Sequence, residues 1–223
     1  MATTDFLKRA FSTRPTSTLQ SALSVYEDYK FDKRYQLDTR SEVAINELDI
    51  SQDDKQHADK YKPTRVRYFR KIMEKVDPSR DGVFVDVGCG KGRILLLAAE
   101  QGFDEVVGLE ISPALCQIAE RNVEAFKHAK PETGSIKVVC TNILDYQMVG
   151  SETVFFLYSP FGCSITERFL EMVRQSLKDH PRDLCLIIDE FRFPELLAND
   201  DYFEQSLIYK YGAAVFHVYS HVS

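Results

Sequence analysis

The stretch Val83-Phe-Val-Asp-Val-Gly-Cys-Gly-Lys-Gly-Arg93 runs from an apolar, β-branched segment straight into glycines at 88, 90 and 92. Glycine lets a chain turn sharply and lets a ligand approach the backbone where a Cβ would collide. The stretch therefore predicts a buried strand, a ligand-cradling loop and a helix. Its spacing, GxGxG, is neither the GxGxxG of a dinucleotide loop nor the GxxxxGK[ST] of a phosphate loop. Asp86 stands two residues before the first glycine, and a carboxylate there repels phosphate but suits an ammonium group. Glu110 lies 20 positions beyond Gly90, where an acidic residue can take both hydroxyls of a ribose. Together the two carboxylates ask for a ligand with a cationic head and a nucleoside tail. A nicotinamide dehydrogenase is disfavoured on the same grounds.

These residues need a frame to hold them, and the pattern from position 81 onward supplies one. Short β-branched runs alternate with amphipathic stretches, as in a parallel sheet wrapped by helices. Strands are expected at Val83–Val87, Glu105–Glu110, Ile136–Thr141, Thr153–Ser159 and Asp183–Asp189, with helices at Gly92–Gln101, Pro113–Ala129 and Ile165–Asp179. Ser112 suits an N-cap and Pro113 the first helical position, where a missing N–H costs nothing. Leu115, Ile118, Ala119, Val123 and Phe126 then recur at helical spacing and should face the sheet. Phe203–Tyr209 and Ala213–His221, joined by Lys210-Tyr211-Gly212, read as a terminal β-hairpin. The expected fold is an α/β, Rossmann-like, doubly wound and mostly parallel seven-stranded sheet with a C-terminal antiparallel hairpin.

Residues 1–80 lack this alternation and are expected to form a helical lid on the domain of residues 81–223. Its better helices are Leu19–Tyr29 and Thr64–Val76, with Thr64 able to cap the second, and the segment from Phe31 to about Asp54 is mixed and polar. The first 80 residues carry 16 basic and 13 acidic side chains, +3, and the rest 12 and 21, −9, which sums to the net −6. A net negative chain is a poor duplex binder, and Arg65, Arg67, Arg70, Lys71 and Lys75 along one helix read as a solvated face. The longest aliphatic run, Ile94–Ala99, is too short for a bilayer, which needs about 20 apolar residues. Five cysteines 22 to 27 positions apart form neither a CxxC pair nor a disulfide framework, so a reducing cytoplasm is expected. No metal-ligand spacing occurs, His217 and His221 included.

Val83–Arg93 with Glu110 resembles the motif I region of class I S-adenosylmethionine-dependent methyltransferases, and the resemblance extends over roughly positions 61 to 190. It implies S-adenosyl-L-methionine as cofactor, held by Asp86, Gly88, Cys89, Gly90 and Gly92 of the loop, by Glu110 and Ile111, and by Asn142 and Ile143 near the adenine. Tyr61-Lys-Pro-Thr64 resembles the Tyr-x-Pro-Thr element of some bacterial and lysine-modifying members, in which Tyr61 and Thr64 would close over the cofactor. Phe31-Asp-Lys-Arg-Tyr35 with Asp38-Thr39 is similar to elements that precede the domain in a largely uncharacterised bacterial group. After the fourth strand, Ser159-Pro160-Phe161 stands where amino-methylating members carry an amide, proline and aromatic; Pro160 and Phe161 would face the substrate and Ser159 would replace the amide.

Methyl transfer needs little acid or base, because in-line positioning is the main contribution; a base serves only a hydroxyl or a protonated amine. Ser159, Tyr158 and Glu190 are the catalytic candidates, Glu190 slightly ahead of Asp145. The expected reaction is methyl transfer to nitrogen of a protein side chain or small molecule. Oxygen transfer is the near alternative because of Ser159, and a catalytically silent cofactor-binding module acting through a partner is the alternative from another class. The acceptor and the oligomeric state do not follow from the sequence, and neither a membrane nor nucleic acid is expected as a partner.

Overall fold

The computed structural model describes residues 15–41, 43, 62–158 and 161–223. Of the predicted site residues, Tyr61, Ser159 and Pro160 lie outside them. Two helices come first, α1 (Pro15–Tyr35) and α2 (Val66–Val76). There follow β1 (Val83–Val87), α3 (Arg93–Glu100), β2 (Glu105–Glu110), α4 (Pro113–Ala129), β3 (Ser135–Cys140), β4 (Glu152–Tyr158), α5 (Cys163–Asp179), β5 (Leu184–Asp189) and the hairpin β6 (Glu204–Tyr211) and β7 (Ala214–His221). The seven strands form one sheet in the order β3-β2-β1-β4-β5-β7-β6. The first five are parallel, and β7 runs antiparallel to both β5 and β6.

Every residue of β1 and of β5 is buried, as expected of strands covered on both faces. Phe84, Val106, Val154, Phe156, Ile187 and Phe216 face α1 to α4, where Phe69, Ile72, Met73 and Leu96 complete the core. The opposite residues, among them Val85, Leu109, Phe155, Leu157 and Ile188, pack on Phe169, Leu170 and Val173 of α5. The alternation puts Asp86, Tyr158 and Asp189, each two residues beyond a member of the first set, on the α1–α4 face at the carboxyl ends of β1, β4 and β5. The strand order reverses between β1 and β4, and ligands of such sheets bind in the crevice at that point.

Ser112 caps α4 as expected, its Oγ accepting the Leu115 N–H. The α4 face departs slightly from the apolar spacing: Asn122 is buried while Ile118 and Val123 are only half-buried. Asn122 is drawn in by hydrogen bonds, its Nδ2 donating to the carbonyls of Lys91 (2.8 Å) and Asp38 (3.0 Å).

The N-terminal region needs three corrections. Helix α1 runs through Tyr35, so Phe31 and Tyr35 are core residues and not part of a polar connector. The helix stops where Gln36 turns left-handed (φ 56°) and the Leu37 N–H reaches back to the Asp32 carbonyl, a Schellman ending. Thr64 does not cap α2. The Val66 N–H donates instead to Asp28 Oδ1 of α1 (2.9 Å), and Thr64 Oγ1 is buried without a hydrogen-bond partner. Finally, the three arginines of the basic group pair with carboxylates of other helices, while Lys75 stays exposed. Arg65 pairs with Asp28 (2.7 Å), Arg67 with Glu27, and Arg70 with Glu100 (2.6 Å).

Candidate active site

The glycine loop is closed from below by the end of β2. The Gly88 and Cys89 N–H groups both donate to the Leu109 carbonyl, and the Gly90 N–H donates to Glu110 Oε2 (2.8 Å). Gly90 and Gly92 are left-handed, at φ 53° and 83°, a conformation that costs other residues energy. A Cβ on Gly92 would also come within 3.3 Å of the Ala119 Cβ. Cys89 points inward, and a Cβ on Gly108 would lie 2.8 Å from its Sγ. Burial first, and then Asp86, push this thiol well above its ordinary range, so it is an inert packing group.

Two carboxylates face the crevice in different electrostatic states. Glu110 is anchored: besides Gly90, its Oε1 accepts the Ser112 N–H (2.9 Å). Burial raises its pKa, and the N–H groups of Ser112, Gly90 and Ile111 oppose the rise. Asp86 is only 4% exposed, and no hydrogen bond or ion pair to its side chain occurs among the described residues. Burial, and secondarily the charge of Glu110, push its pKa well above the usual carboxylate range. A buried carboxyl without a partner is costly, and an incoming ammonium is the group that removes the cost.

The adenine-side candidates lie at the end of β3. Asn142 caps a short 3-10 turn (Ile143–Asp145), its Oδ1 accepting the Leu144 N–H (3.0 Å), while Ile143 is buried in the core cluster of the α5 face. Ile111 is half-buried after β2, and Asp145 is exposed.

Across the switch point, the ends of β4 and β5 bring together Tyr158 and Glu190, with half-buried Phe161 following. Asp189, register partner of Tyr158, belongs to the same group, although the sequence pattern singles out only its neighbour Glu190. It is buried, with Oδ1 unpartnered among the described residues. Burial, then Glu190, raise its pKa to about 7. Lys62 carries no local signal either, because its partners are remote: its Nζ donates to the Tyr158 hydroxyl (3.0 Å) and lies 3.8 Å from Glu190 Oε1.

A raised carboxyl pKa has a consequence for stability. The contribution of Asp189 is complete below its unfolded value near 4 and is lost as the pH rises through about 7, because the unfolded chain sheds that proton first. Asp189→Asn is therefore expected to raise the melting midpoint by several degrees at pH 8 and hardly at all at pH 4, as calorimetry at the two pH values would read. An equal effect at both would mean that Asp189 carries no such penalty.

The segment after α1 fastens to the loop. Asp32 accepts hydrogen bonds from the Thr39 hydroxyl (2.5 Å) and N–H (3.1 Å), and Arg93 Nε donates to Thr39 Oγ1 (2.9 Å). Buried Lys91, between two loop glycines, reaches Asp38 at 3.2 Å and Ser41 at 2.5 Å. Arg93 Nη1 donates to the Thr64 carbonyl (3.2 Å) and lies 3.4 Å from Asp28. The Phe-Asp-x-Arg-Tyr and Asp-Thr elements thus act as a clamp on the glycine loop.

The family model described as a methyltransferase domain matches residues 84–180, from β1 to the end of α5. Residues 84–180 thus match a methyltransferase domain, set in a Rossmann-like sheet. A protein-lysine N-methyltransferase of Saccharolobus islandicus (strain REY15A) is 35% identical over 65 residues, 29% of this chain; the match spans 40% of that relative. Among solved structures, the fold is shared with an RNA methyltransferase of Salinibacter ruber in complex with S-adenosyl-L-homocysteine, at TM-score 0.56 and 17% identity over 72% of this chain and 94% of that one. It is shared also with a SAM-dependent methyltransferase of Aquifex aeolicus, at TM-score 0.53 and 14% identity over 70% and 89%. The residues of this region fit S-adenosylmethionine: Asp86, without a partner among the described residues, meets the need of an ammonium group, beside a loop that Gly90 turns through a left-handed conformation. Among the described residues no cluster of His, Cys, Asp or Glu is disposed to hold a metal ion, and no helix is long and apolar enough to cross a membrane.

Proposed function

We propose that this chain transfers the methyl group of S-adenosylmethionine to a nitrogen, on a protein side chain or a small molecule. The observation that carries the reading is Asp86, a buried carboxylate that nothing among the described residues neutralises, beside a glycine loop whose other wall is Glu110. When bound, the cofactor supplies an electrophilic methyl on a sulfonium, a good leaving group. Asp86 would hold the amino end of the ligand, and Glu110, kept in place by two backbone N–H groups, would accept from the ribose. Gly88, Cys89, Gly90 and Gly92 would contribute backbone, Ile111 and Ile143 apolar walls, Asn142 the adenine side, and Tyr61 and Thr64 the cover.

The acceptor would enter at the ends of β4 and β5. Tyr158 and Ser159 would orient its lone pair, Pro160 and Phe161 would face it, and Glu190 would take a proton from an acceptor that arrives protonated. Nitrogen is favoured over oxygen by the carboxylates there, Asp189 and Glu190, and by the lysine-modifying activity named for the archaeal relative.

The test is thermal unfolding with S-adenosylmethionine, S-adenosylhomocysteine and reduced nicotinamide cofactor, since a ligand of the native state raises the midpoint. The adenosyl sulfur ligands are expected to raise it by several degrees and the nicotinamide not at all. A shift with nicotinamide alone would overturn the reading. Incubation with labelled methyl donor and amine acceptors then separates an active enzyme from a silent binding module.

A further inference from the structure

Resting on the methyl-transfer reading, we propose that the ends of β4 and β5 form a subsite for a primary ammonium, the head of a lysine side chain, and that the chain's own Lys62 occupies it as a stand-in acceptor. Lys62 Nζ donates to the Tyr158 hydroxyl at 3.0 Å, sits 5.5 Å from the centroid of the Tyr158 ring, and lies 3.8 Å from Glu190 Oε1. Asp189, directly across from Tyr158 in register and on the same face of the sheet, is 2% exposed and keeps Oδ1 without a hydrogen-bond partner among the described residues. A ring, a phenol oxygen and the Glu190 carboxylate meet at the ammonium, with the buried Asp189 carboxyl neighbouring Tyr158 on the sheet, and these are the groups that recognise a cation. A neutral hydroxyl acceptor has no use for them.

The arrangement is not explained by stability. Lys62 and Glu190 side chains are 46% and 47% exposed, and such half-exposed pairs contribute little. Glu190 holds a left-handed backbone (φ 51°), which is strained for a residue with a side chain. The orphaned Asp189 oxygen carries an unrelieved desolvation penalty. Three such features meet beyond the carboxyl ends of the strands, on the ligand-binding side of the sheet. The Lys62 ammonium also favours the charged form of Asp189, so the cation influences the buried carboxylate from outside.

Lys62 has the same four-carbon stem and the same charge as a protein lysine, and an incoming lysine must displace it. Half-exposed, it can swing away, whereas Tyr158 and Asp189 are set by two parallel strands and remain, with Glu190 on the turn that follows. The arm is tethered nearby: two residues on, the Thr64 carbonyl accepts from Arg93 at the glycine loop. Lys62 would thus compete with acceptors and select for those that match or exceed a lysine in charge and reach.

The experiment is calorimetric binding of Nα-acetyl-lysine methylamide to the full chain without cofactor, for the native protein and for Lys62→Met, with the norleucine analogue as the uncharged control. Lys62→Met is expected to bind the lysine amide at least tenfold more tightly than the native chain, the norleucine analogue to bind neither, and Asp189→Asn in the Lys62→Met background to lose the gain. No tightening in Lys62→Met, or equal binding of norleucine, would overturn the proposal. Should Lys62→Met fold poorly, the native chain can be acylated with a mild reagent: slow modification of Lys62 that the lysine amide accelerates supports the subsite, and rapid modification unaffected by it overturns the proposal. If adenosyl ligands raise the melting midpoint while the lysine amide fails these tests, the subsite is wrong and the methyl-transfer reading stands. If the lysine amide binds as expected and no adenosyl ligand does, the reverse holds.

Discussion

Asp86→Asn is expected to weaken S-adenosylmethionine binding by about 100-fold while making the ligand-free protein more stable. The two effects have one cause. In the free protein the Asp86 carboxyl is buried and unpartnered among the described residues, and its pKa stands well above the ordinary value. Its contribution to stability is complete below about pH 4, near the unfolded value, and is lost as the pH rises toward the folded one. Asparagine removes the ionisable group, so the gain in melting midpoint should grow with pH and vanish near pH 4. Removing one member of a buried charge pair costs a complex roughly 2–5 kcal/mol, which brackets the expected loss of affinity. Binding should also release a proton from Asp86 in the wild type, so affinity should rise with pH, and the released proton should show in calorimetry run in buffers of different ionisation enthalpy. An Asp86→Asn variant that binds the cofactor as tightly as the native protein would remove Asp86 from the site.

The second large effect is structural. Arg93 and Asp28 are 2% and 1% exposed by side chain and pair at 3.4 Å, while Asp28 also takes the Val66 N–H and Arg65. Arg93→Met takes from Asp28 the buried one of its two guanidinium partners, leaving half-exposed Arg65, and releases Thr39 and the Thr64 carbonyl at once. Leaving a buried charge alone costs about 3–5 kcal/mol; with Arg65 still on Asp28 the expected loss is at the lower end, about 3 kcal/mol, which lowers the melting midpoint of a chain this size by about 10 °C. Arg93→Lys should recover little, because a single ammonium does not reproduce a planar fork that serves acceptors in two directions. The double variant Asp28→Leu/Arg93→Met should not recover the loss, since leucine also strips the Val66 N–H of its acceptor and Arg65 of its partner. In chemical denaturation, a loss below about 1 kcal/mol for Arg93→Met would mean that the buried pair does not hold the N-terminal helices to the loop.

What could be read in the sequence was local. The glycine loop followed from spacing, α4 from Ser112 and Pro113, and the hairpin from two alternating runs around a glycine; each observed boundary lies within a few residues of the expected one. What could not be read depends on partners far along the chain. Thr64 has the chemistry of a cap, but Asp28, 38 residues before Val66, takes the Val66 N–H from another helix. The arginines of α2 looked solvated because nothing local shows that Glu27, Asp28 and Glu100 would be brought against them. Lys62 lies inside the Tyr-x-Pro-Thr element, yet its meaning comes from Tyr158, 96 residues on. Asp189 was hidden by adjacency: two carboxyls end β5, and only the strand's alternation tells which is turned into the protein.

The clamp of Asp32, Thr39 and Arg93 makes helix α1 and the glycine loop a single mechanical part. An adenosyl ligand seated on the loop would lend its binding energy to a helix it never touches, and fraying of that helix would shorten the time the ligand stays. Drift in the N-terminal region of related chains would then tune cofactor turnover without altering one residue of the glycine loop.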